Sequence, residues 1–431
     1  MSTVTTGANV TQRGVLVVNN ASINDNGNMA NGIINTNSTV TINAPASISN
    51  FKAGRYAIQQ SSGSTTINGG SIIGSGEQVR ITGGSLAING GTITSTGSNN
   101  TIHFQGAGSV GTIGSSAGNT LITANSGSAL NMTSGTMTIT QGSNLTTLMS
   151  DGSNVIRQTG GQLNVAGGDI RGSNASATVV LVSGSSGTTV SGGSISNTSV
   201  GIGTSGTGLL TISGGTISGS ASGVSVTAGN ANISGGRISS PQTGVSFSST
   251  GTLSVLAGST SNVTGTNGSG FLLTGGTSNI SGGTVSGSAV GINFNNTTAG
   301  GSVAGVTFTG GQSDLQLNQT NGAITLGANN SFSGSESTPG NAIGYILNKT
   351  TQNFTLDPTT SFNSVQLSSL AVPANLSTLY SIQDKIVDGL DSSGYGLVRI
   401  KANTLLTTPN SYYTAASVTE PSIQRAVDLS S

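Results

Sequence analysis

The chain has 431 residues with 69 glycines, no cysteine and no tryptophan, and its charged residues make up only 6% and sum to a net charge of zero. Such a sparse charge set lacks the clustered Lys and Arg that phosphate binding needs, so we expect no nucleic-acid partner. The absence of cysteine excludes disulfides and thiolate metal sites. No run of about 18 apolar residues is present, so we expect no direct membrane insertion by this segment.

The first ten residues, MSTVTTGANV, lack the basic and apolar regions of a secretory signal peptide. This leaves two alternatives, a cytoplasmic chain or a segment of a longer exported protein. The features described below favour the second, with a location at the bacterial cell surface or in the secreted fraction.

A short phrase, I-S-G-G-x-I-S, recurs along the chain. Its copies, some with Val or Asn substitutions, lie at residues 190–196, 212–218, 233–239 and 280–286, with a shorter copy at 67–72. The first glycines of three successive copies, Gly192, Gly214 and Gly235, are 22 and 21 residues apart. A period of this length indicates a solenoid in which each repeat forms one coil.

Each repeat contains three short stretches of alternating apolar and polar residues, as at 210–213, 216–218 and 224–226. Alternation with period 2 predicts strands with Ile, Val and Leu on one side. The Gly-Gly and Ser-Gly pairs between the stretches suit tight corners. We therefore predict an all-β fold over residues 1–365, a right-handed parallel β-helix with three short strands and about 21 to 22 residues per coil.

Two other structures are compatible with some of this pattern. A low-complexity linker matches the Gly and Ser content, but it would not keep β-branched residues in phase over hundreds of positions. A left-handed hexapeptide helix would need a shorter coil of about 18 residues. The observed step of 21 to 22 residues disfavours it.

Through the I-S-G-G-x-I-S phrases, residues 1–365 resemble the parallel β-helix passenger or stalk regions of bacterial autotransporters and filamentous-haemagglutinin-like giant surface proteins. The resemblance implies a glycine-rich adhesin segment exposed on the cell surface. It is specific for the fold and says little about the ligand.

The repeat stops near Val365, and nine of the 24 charged residues fall in residues 366–431. Residues 375–389 predict a short amphipathic helix that ends at Gly389, with Leu379, Ile382 and Ile386 on its apolar face at i, i+3 and i+7. Residues 396–400 predict a strand. Residues 421–429 resemble the cap helix that opens many bacterial β-helix domains. We expect 366–431 to be a mixed α/β connector or cap with two short helices, leading to a further β-helix domain that is absent from this chain; alternatively, the last helix caps the preceding solenoid.

Catalysis by this fold would need paired carboxylates, or acidic metal ligands beside a base, on neighbouring coils. The seven acids of residues 1–365 look scattered: Asp25, Glu77, Asp151, Asp169, Asp314, Glu336 and Asp357. Asp151 and Asp169 lie about one coil apart, near Arg157 and Arg171, which allows an anionic-sugar site but favours a surface salt bridge. His103 is the only histidine, and its place between Ile102 and Phe104 predicts a lone, outward side chain.

Two other polar groupings are candidate sites. Asp384 and Asp388, near Asp391, would share one face of the predicted helix, where a solvated surface is favoured over a metal site. Thr92-Ile93-Thr94 and residues 136–140 fit the T-x-T pattern of ice-binding solenoids, but Arg237 occupies an equivalent slot and would disrupt a flat ice face. We therefore assign no catalytic, cofactor-binding or metal-binding residue and expect no cofactor.

The sequence predicts a structural and adhesive protein that is not an enzyme, acting as a rigid stalk or a polar binding surface. Expected partners are a host-cell or matrix surface, a polysaccharide, or other chains of the same protein. The longer coil steps at 104–130 and 247–271 are the expected contact loops, since solenoid insertions lie on the outside. The alternatives are a β-helix that binds or degrades polysaccharides and a solenoid that binds ice or another surface.

Overall fold

The structure is a computed structural model that describes residues 2–4, 8–11, 13–25, 31–52, 54–197, 199–257, 262–296, 298–309, 311–318, 322–334, 344–408 and 426–428. The chain divides into two compact units, Met1–Ser220 and Ala221–Ser431. Each unit is built mainly from short parallel strands; the strands Ser361–Phe362 and Val365–Gln366 in the second unit pair antiparallel.

The first unit contains, in chain order, β1 (Ser2–Val4), β2 (Ala8–Thr11), β3 (Val15–Val18), β4 (Ala21–Asn24), β5 (Asn31–Thr36), β6 (Ser38–Ile42), β7 (Ser47–Phe51), β8 (Tyr56–Gln60), β9 (Gly63–Ile67), β10 (Ser71–Gly74), β11 (Glu77–Ile81), β12 (Ser85–Ile88), β13 (Gly91–Ser95), β14 (Ile102–Phe104), β15 (Val110–Ile113), β16 (Thr120–Ala124), β17 (Leu130–Met132), β18 (Thr136–Ile139), β19 (Thr146–Ser150), β20 (Ile156–Gln158), β21 (Gln162–Val165), β22 (Asp169–Gly172), β23 (Thr178–Val182), β24 (Thr188–Val190), β25 (Ser194–Asn197), β26 (Val200–Thr204), β27 (Leu209–Ile212) and β28 (Thr216–Ser218).

The second unit contains β29 (Ser222–Val226), β30 (Asn230–Ile233), β31 (Arg237–Ser240), β32 (Thr243–Phe247), β33 (Thr252–Val255), β34 (Asn262–Gly265), β35 (Ser269–Leu273), β36 (Thr277–Ile280), β37 (Thr284–Gly287), β38 (Val290–Phe294), β39 (Gly300–Val303), β40 (Thr307–Phe308), β41 (Ser313–Leu317), β42 (Ile324–Leu326), β43 (Ser331–Phe332), β44 (Ile346–Asn348), β45 (Phe354–Thr355), β46 (Ser361–Phe362) and β47 (Val365–Gln366). A 3₁₀ turn (Leu367–Ser369), helix α1 (Leu376–Gln383), β48 (Ile386–Val387) and β49 (Val398–Arg399) follow.

Within the repeats of each unit, a strand pairs in parallel with the third strand after it in the chain. In the first unit this produces three sheets: face A is the series from β1 to β28, face B the series from β2 to β26, and face C the series from β3 to β27. Within the repeats of the second unit, strands pair by the same rule. The prediction of an all-β parallel β-helix with three short strands per coil is confirmed.

The pairing register aligns apolar side chains in buried ladders. On face A of the first unit, Ile72 pairs with Ile93, Ile93 with Ile122, and Ile122 with Leu148, and these four side chains are 0% exposed. Burying each such side chain contributes roughly 1.5 to 3 kcal/mol relative to leaving it exposed. The repeated Ile and Val positions of the sequence are therefore the core of the solenoid.

Glycine pairs form the tight corners where face C leads into face A. Gly193 and Gly215 occupy equivalent corners with φ of 80° and 82°, a conformation that costs glycine little. A Cβ on Gly215 would lie 2.9 Å from the carbonyl oxygen of Gly192, in the coil before it. These corners need glycine for both backbone conformation and close stacking.

Buried amide side chains complete the hydrogen bonding at other corners. Gln60 is 0% exposed, and its Nε2 donates to the carbonyl oxygens of Gly83 (2.8 Å) and Ser85 (3.0 Å) in the next coil. At a separate corner Asn43, Asn68 and Asn89 each donate to the asparagine one coil earlier, at 2.8 to 3.0 Å. Side-chain amides therefore tie successive coils together where backbone pairing is interrupted.

The C-terminal segment adds strands to the second unit. Ile386 and Val387 in β48 pair with Ile346 and Leu347 in β44, and β49 pairs with β45, both in parallel. The strand predicted over 396–400 is present as Val398–Arg399, and residues 426–428 are helical. The remainder of the predicted cap helix at 421–429 lies outside the described residues, and the boundary at 365 and the further β-helix domain stay predictions.

The helix predicted over 375–389 is shorter than expected. It ends at Gln383, and Ile386, expected on the buried face of the helix, lies instead in β48. The i, i+3, i+7 spacing that suggested a continued helix comes from two elements, because Ile386 completes a buried row with Ile346. Strand pairing at the end of the unit therefore outweighs the local helical pattern.

Candidate functional site

A charged cluster lies on the outward side of face B in the first unit. β14 stacks on β11, with Arg80 directly opposite His103 in the pairing register. The Nδ1 atom of His103 lies 3.1 Å from Oε1 of Glu77, and Nη1 of Arg80 lies 3.8 Å from Oε2 of the same carboxylate. The side chains of Glu77 and His103 are each 16% exposed. The cluster is therefore half-buried on the sheet.

The cluster also includes Tyr56 on the neighbouring strand β8 and Gln105, which directly follows β14. Nη1 of Arg80 donates to the hydroxyl of Tyr56, and the guanidinium carbon lies 5.0 Å from the centroid of that ring. With its amide oriented to match its neighbours, Gln105 donates to Nε2 of His103 (3.2 Å) and accepts from Arg80 (3.1 and 3.3 Å). Both imidazole nitrogens of His103 thus have partners within the cluster.

The sequence predicted that the His103 side chain points outward, which is confirmed, and that it has no partner, which is wrong. Ile102 and Phe104 are buried and His103 points outward, but it is paired with Glu77 from the preceding coil. The carboxylate fixes the imidazole tautomer, with Nδ1 as donor and Nε2 as acceptor from Gln105. The pair of Glu77 and His103 therefore links two successive coils.

Asp169 and Arg171 form a surface salt bridge on face A. The distance from Nε of Arg171 to Oδ2 of Asp169 is 2.9 Å, and the side chains are 51% and 36% exposed respectively. Asp151 accepts a hydrogen bond from the Ser173 hydroxyl at 2.8 Å. Arg157 lies on β20 of face B, away from the sheet that carries Asp169. The four predicted residues therefore do not form one site.

A shallow groove of about 370 Å³ runs beside Asp151. It is lined by Thr94, Ser95, Thr96, Thr123, Ala124, Asn125 and Asp151. The hydroxyls of Thr94 and Thr123 are 2.8 Å apart across adjacent coils. The groove is a neutral hydroxyl surface with a single carboxylate at its edge.

Two consecutive corners of the first unit are longer than the others near them. Residues 114–119 and 140–145 each separate a face C strand from the next face A strand by six positions, whereas residues 166–168 do so with three. The long corners contact each other: Nδ2 of Asn144 donates to the Ser115 carbonyl at 2.8 Å, and the Leu145 amide donates to Oδ1 of Asn119 at 3.1 Å. Leu145 is 62% exposed. Together the residues 114–119 and 140–145 form a double corner with an exposed apolar tip.

The acidic group around Asp388 is not a solvated helix face, as the sequence suggested. Asp388 follows the helix and is 0% exposed; its carboxylate accepts from the backbone amides of Leu390 (2.8 Å) and Val398 (2.6 Å). Its own amide donates to Asp391 at 2.9 Å. The prediction failed because the helix ends before Asp388. These carboxylates hold the turn that leads into β49.

Asp314 in the second unit is another buried acid whose environment the sequence did not predict. Its side chain accepts hydrogen bonds from the backbone amides of Ser333 and Gly334, both 2.8 Å from Oδ2. Burial raises the pKa of Asp314 to about 7, against the lowering effects of these amides and of Lys385. The Nζ of Lys385 lies 5.0 Å from the centroid of the Tyr345 ring. Glu336, named with Asp314 among the acids, lies outside the described residues.

The two T-x-T motifs lie on different faces. Thr92 and Thr94 belong to β13 of face A, whereas Thr136 and Thr138 belong to β18 of face C. Treating them as members of one ladder was therefore wrong. A distinct outward row on face C contains Thr41, Thr66, Thr112, Thr138, Thr189 and Thr211, with Ala87 and Asn164 between them.

Among the described residues, no three His, Cys, Asp or Glu side chains are grouped so that they would hold a metal ion. The helices within the same part of the chain include none long and apolar enough to cross a membrane. No protein-family model matches the chain. No curated protein and no solved structure is significantly similar to it. The class that the structure defines is the parallel β-solenoid.

Proposed function

We propose that this chain is a structural and adhesive β-solenoid of a bacterial surface or secreted protein, without catalytic activity. The observation that carries the proposal is the double corner at 114–119 and 140–145, an exposed, uncharged feature on a scaffold of paired strands. Rigid sheets that display loops of variable length are a common arrangement for binding. The resemblance of the repeats to adhesin stalks supports the same role.

The double corner has the properties of a contact surface. It exposes the polar side chains of Asn119 and Ser143 beside the apolar side chain of Leu145, whereas Asn144 is half-buried and donates to the Ser115 carbonyl. Neutral hydrogen-bonding groups suit carbohydrate hydroxyls, and an exposed apolar residue adds contact area. A polysaccharide or matrix glycan is therefore the partner that we propose.

The test is binding of the purified chain to immobilised bacterial and matrix glycans, measured by biolayer interferometry. The main variant replaces residues 140–145 with the three-residue corner Ala-Gly-Gly found at 166–168. Val372→Asp is the matched control, since Val372 is an exposed apolar residue (51%) outside the double corner. We expect the shortened corner to lose at least tenfold in affinity and the control to bind normally. Equal binding by all three proteins would contradict the proposal.

The second candidate is a β-helix enzyme that binds or degrades polysaccharides, which the groove beside Asp151 favours. Its test is the release of oligosaccharides from pectins and capsular polysaccharides, with Asp151→Asn and Asp169→Asn as variants. If the protein releases oligosaccharides and these substitutions abolish the release, the enzyme proposal replaces the first one.

Ice binding is the third candidate, favoured by the threonine row on face C. Thermal hysteresis by the purified chain is its measurement.

A further inference from the structure

Charged residues are distributed unequally over the three faces of the first unit. Face A carries Asp169 and Arg171, and face B carries Glu77, Arg80 and Arg157. The strands of face C that the structure describes, from β3 to β27, contain no Asp, Glu, Lys, Arg or His. Face C is thus a neutral sheet surface.

Face C also carries most of the exposed apolar side chains of this unit. Val15, Val17, Val110 and Leu209 all lie on its strands and are 73%, 49%, 54% and 41% exposed. The threonine row, which Val17 extends through its pairing with Thr41, adds methyl groups to the same surface. Val15 and Val17 lie on the first strand of the face, Val110 on the fifth and Leu209 on the last, so exposed apolar side chains recur along its whole length. A sheet surface with several exposed apolar side chains and no charged strand residue is a candidate interaction site.

We infer that face C of the first unit is the surface through which two copies of the chain associate. The inference deepens the proposed structural role, because pairing would stiffen a stalk. A two-fold axis places the same surface of both copies in contact, so a charge near the axis meets its own equivalent. Faces A and B would bring like charges together in this way. Face C avoids that repulsion.

The dimensions of the face fit a weak dimer. Nine strands spaced about 4.8 Å apart and about four residues wide cover roughly 40 by 13 Å, or roughly 500 Å² per copy. Two copies would bury roughly 1,000 Å² in total, at the lower limit for a specific interface. The short β-branched side chains of the face allow two sheets to approach to about 10 Å. We therefore expect association in the micromolar range.

The test is sedimentation of the full chain at concentrations from about 1 to 200 µM. Val110 lies on β15, the central strand of face C, so Val110→Lys places a positive charge at the middle of the proposed interface. Ile73→Lys is the matched control, because Ile73 is an exposed apolar residue (39%) on face A. We expect a dimer for the wild type and for Ile73→Lys, and a shift of at least tenfold in the dissociation constant for Val110→Lys.

Thr112→Lys, on the same strand, provides a second interface variant, and circular dichroism verifies that each variant is folded. A wild type that stays monomeric throughout this range, or an equal effect of the face A and face C lysines, would overturn the inference. Thermal hysteresis that Val110→Lys removes from a monomeric wild type would assign face C to ice instead. Glycan binding by the monomeric Val110→Lys protein tests the adhesive proposal separately from dimerisation.

Discussion

The Nδ1 of His103 lies 3.1 Å from Oε1 of Glu77, although 26 positions separate the two residues in the chain. They meet because Ile102 pairs with Val79 in the parallel register of face B. The pair belongs to a half-buried network that also contains Arg80, Tyr56 and Gln105. Side chains on three successive coils are joined in this way.

This network is expected to contribute to stability. A double-mutant cycle of Glu77→Ala and His103→Ala should yield a coupling free energy of about 1 kcal/mol, because the pair is partly shielded from water. The measurement is urea unfolding followed by circular dichroism. The corresponding cycle of Asp169→Ala and Arg171→Ala is the control, and we expect a coupling near zero for that more exposed pair. A coupling as small for Glu77 and His103 would show that the network does not stabilise the fold.

Asp314 should make the stability of the second unit depend on pH. Burial raises its pKa from 3.8 to about 7, so the folded form holds a proton that the unfolded form has already lost between these values. The free energy of unfolding from this group is therefore highest below about pH 4, falls as the pH rises to about 7, and is constant above.

Asp314→Asn removes this titration. At pH 8 we expect the variant to be more stable than the wild type, with a free energy of unfolding that is higher by up to about 4 kcal/mol. The difference should be smaller at pH 4. Calorimetry at the two pH values measures the effect. Asp169→Asn, at an exposed carboxylate, is the matched control. A wild type and Asp314→Asn variant that differ equally at both pH values would refute the buried-acid explanation.

Gln60 is expected to be required at its corner. Gln60→Ala leaves the carbonyl oxygens of Gly83 and Ser85 without this donor and the Thr65 hydroxyl without its acceptor. We expect a loss of about 2 to 3 kcal/mol, since buried polar groups would lose their partners. Gln59→Ala, on the outward side of the same strand, should cost much less. Thermal unfolding of both variants decides the point, and similar melting temperatures would count against the role of the buried amide.

Asp388→Asn tests the turn that leads into β49. An asparagine presents an NH₂ group where one carboxylate oxygen now accepts from a backbone amide, so one hydrogen bond becomes a donor–donor contact. We expect destabilisation by about 2 kcal/mol or more. Hydrogen exchange should show faster exchange at the amides of Leu390 and Val398, with amides of the first unit unchanged. Protection of both amides equal to that of the wild type would be inconsistent with this role.

The repeat was sufficient to predict the fold. The phase of the Ile and Val positions defined the strands, and stacking placed residues one coil apart in register. The same register also makes Arg80 and His103 neighbours, so their contact was within reach of the sequence once Val79 and Ile102 were aligned. The contact between Glu77 and the imidazole could not be predicted in this way. Glu77 lies two positions before Val79, and whether its carboxylate reaches His103 depends on the side-chain conformations of both residues.

The C-terminal part was less predictable for a physical reason. Outside the repeat, no second copy of a pattern indicates which element contains Ile386 or Asp388, and the spacing that predicted a helix is also compatible with a helix followed by a strand.

The prediction that the T-x-T motifs share one face was wrong for another reason. A coil has three strands with the same alternation, so a short motif does not identify its face unless the coil is counted from a known corner.

The long corners at 114–119 and 140–145 have an evolutionary consequence. The strand register stays in phase although the step from Val79 to Ile102 is 23 residues and that from Ile102 to Leu130 is 28. Corner length can therefore drift in descendants of this chain while the ladders of Ile and Val are conserved. Selection for a new ligand would act on insertions at the corners, and duplication of a whole coil would extend the protein without redesign of its core.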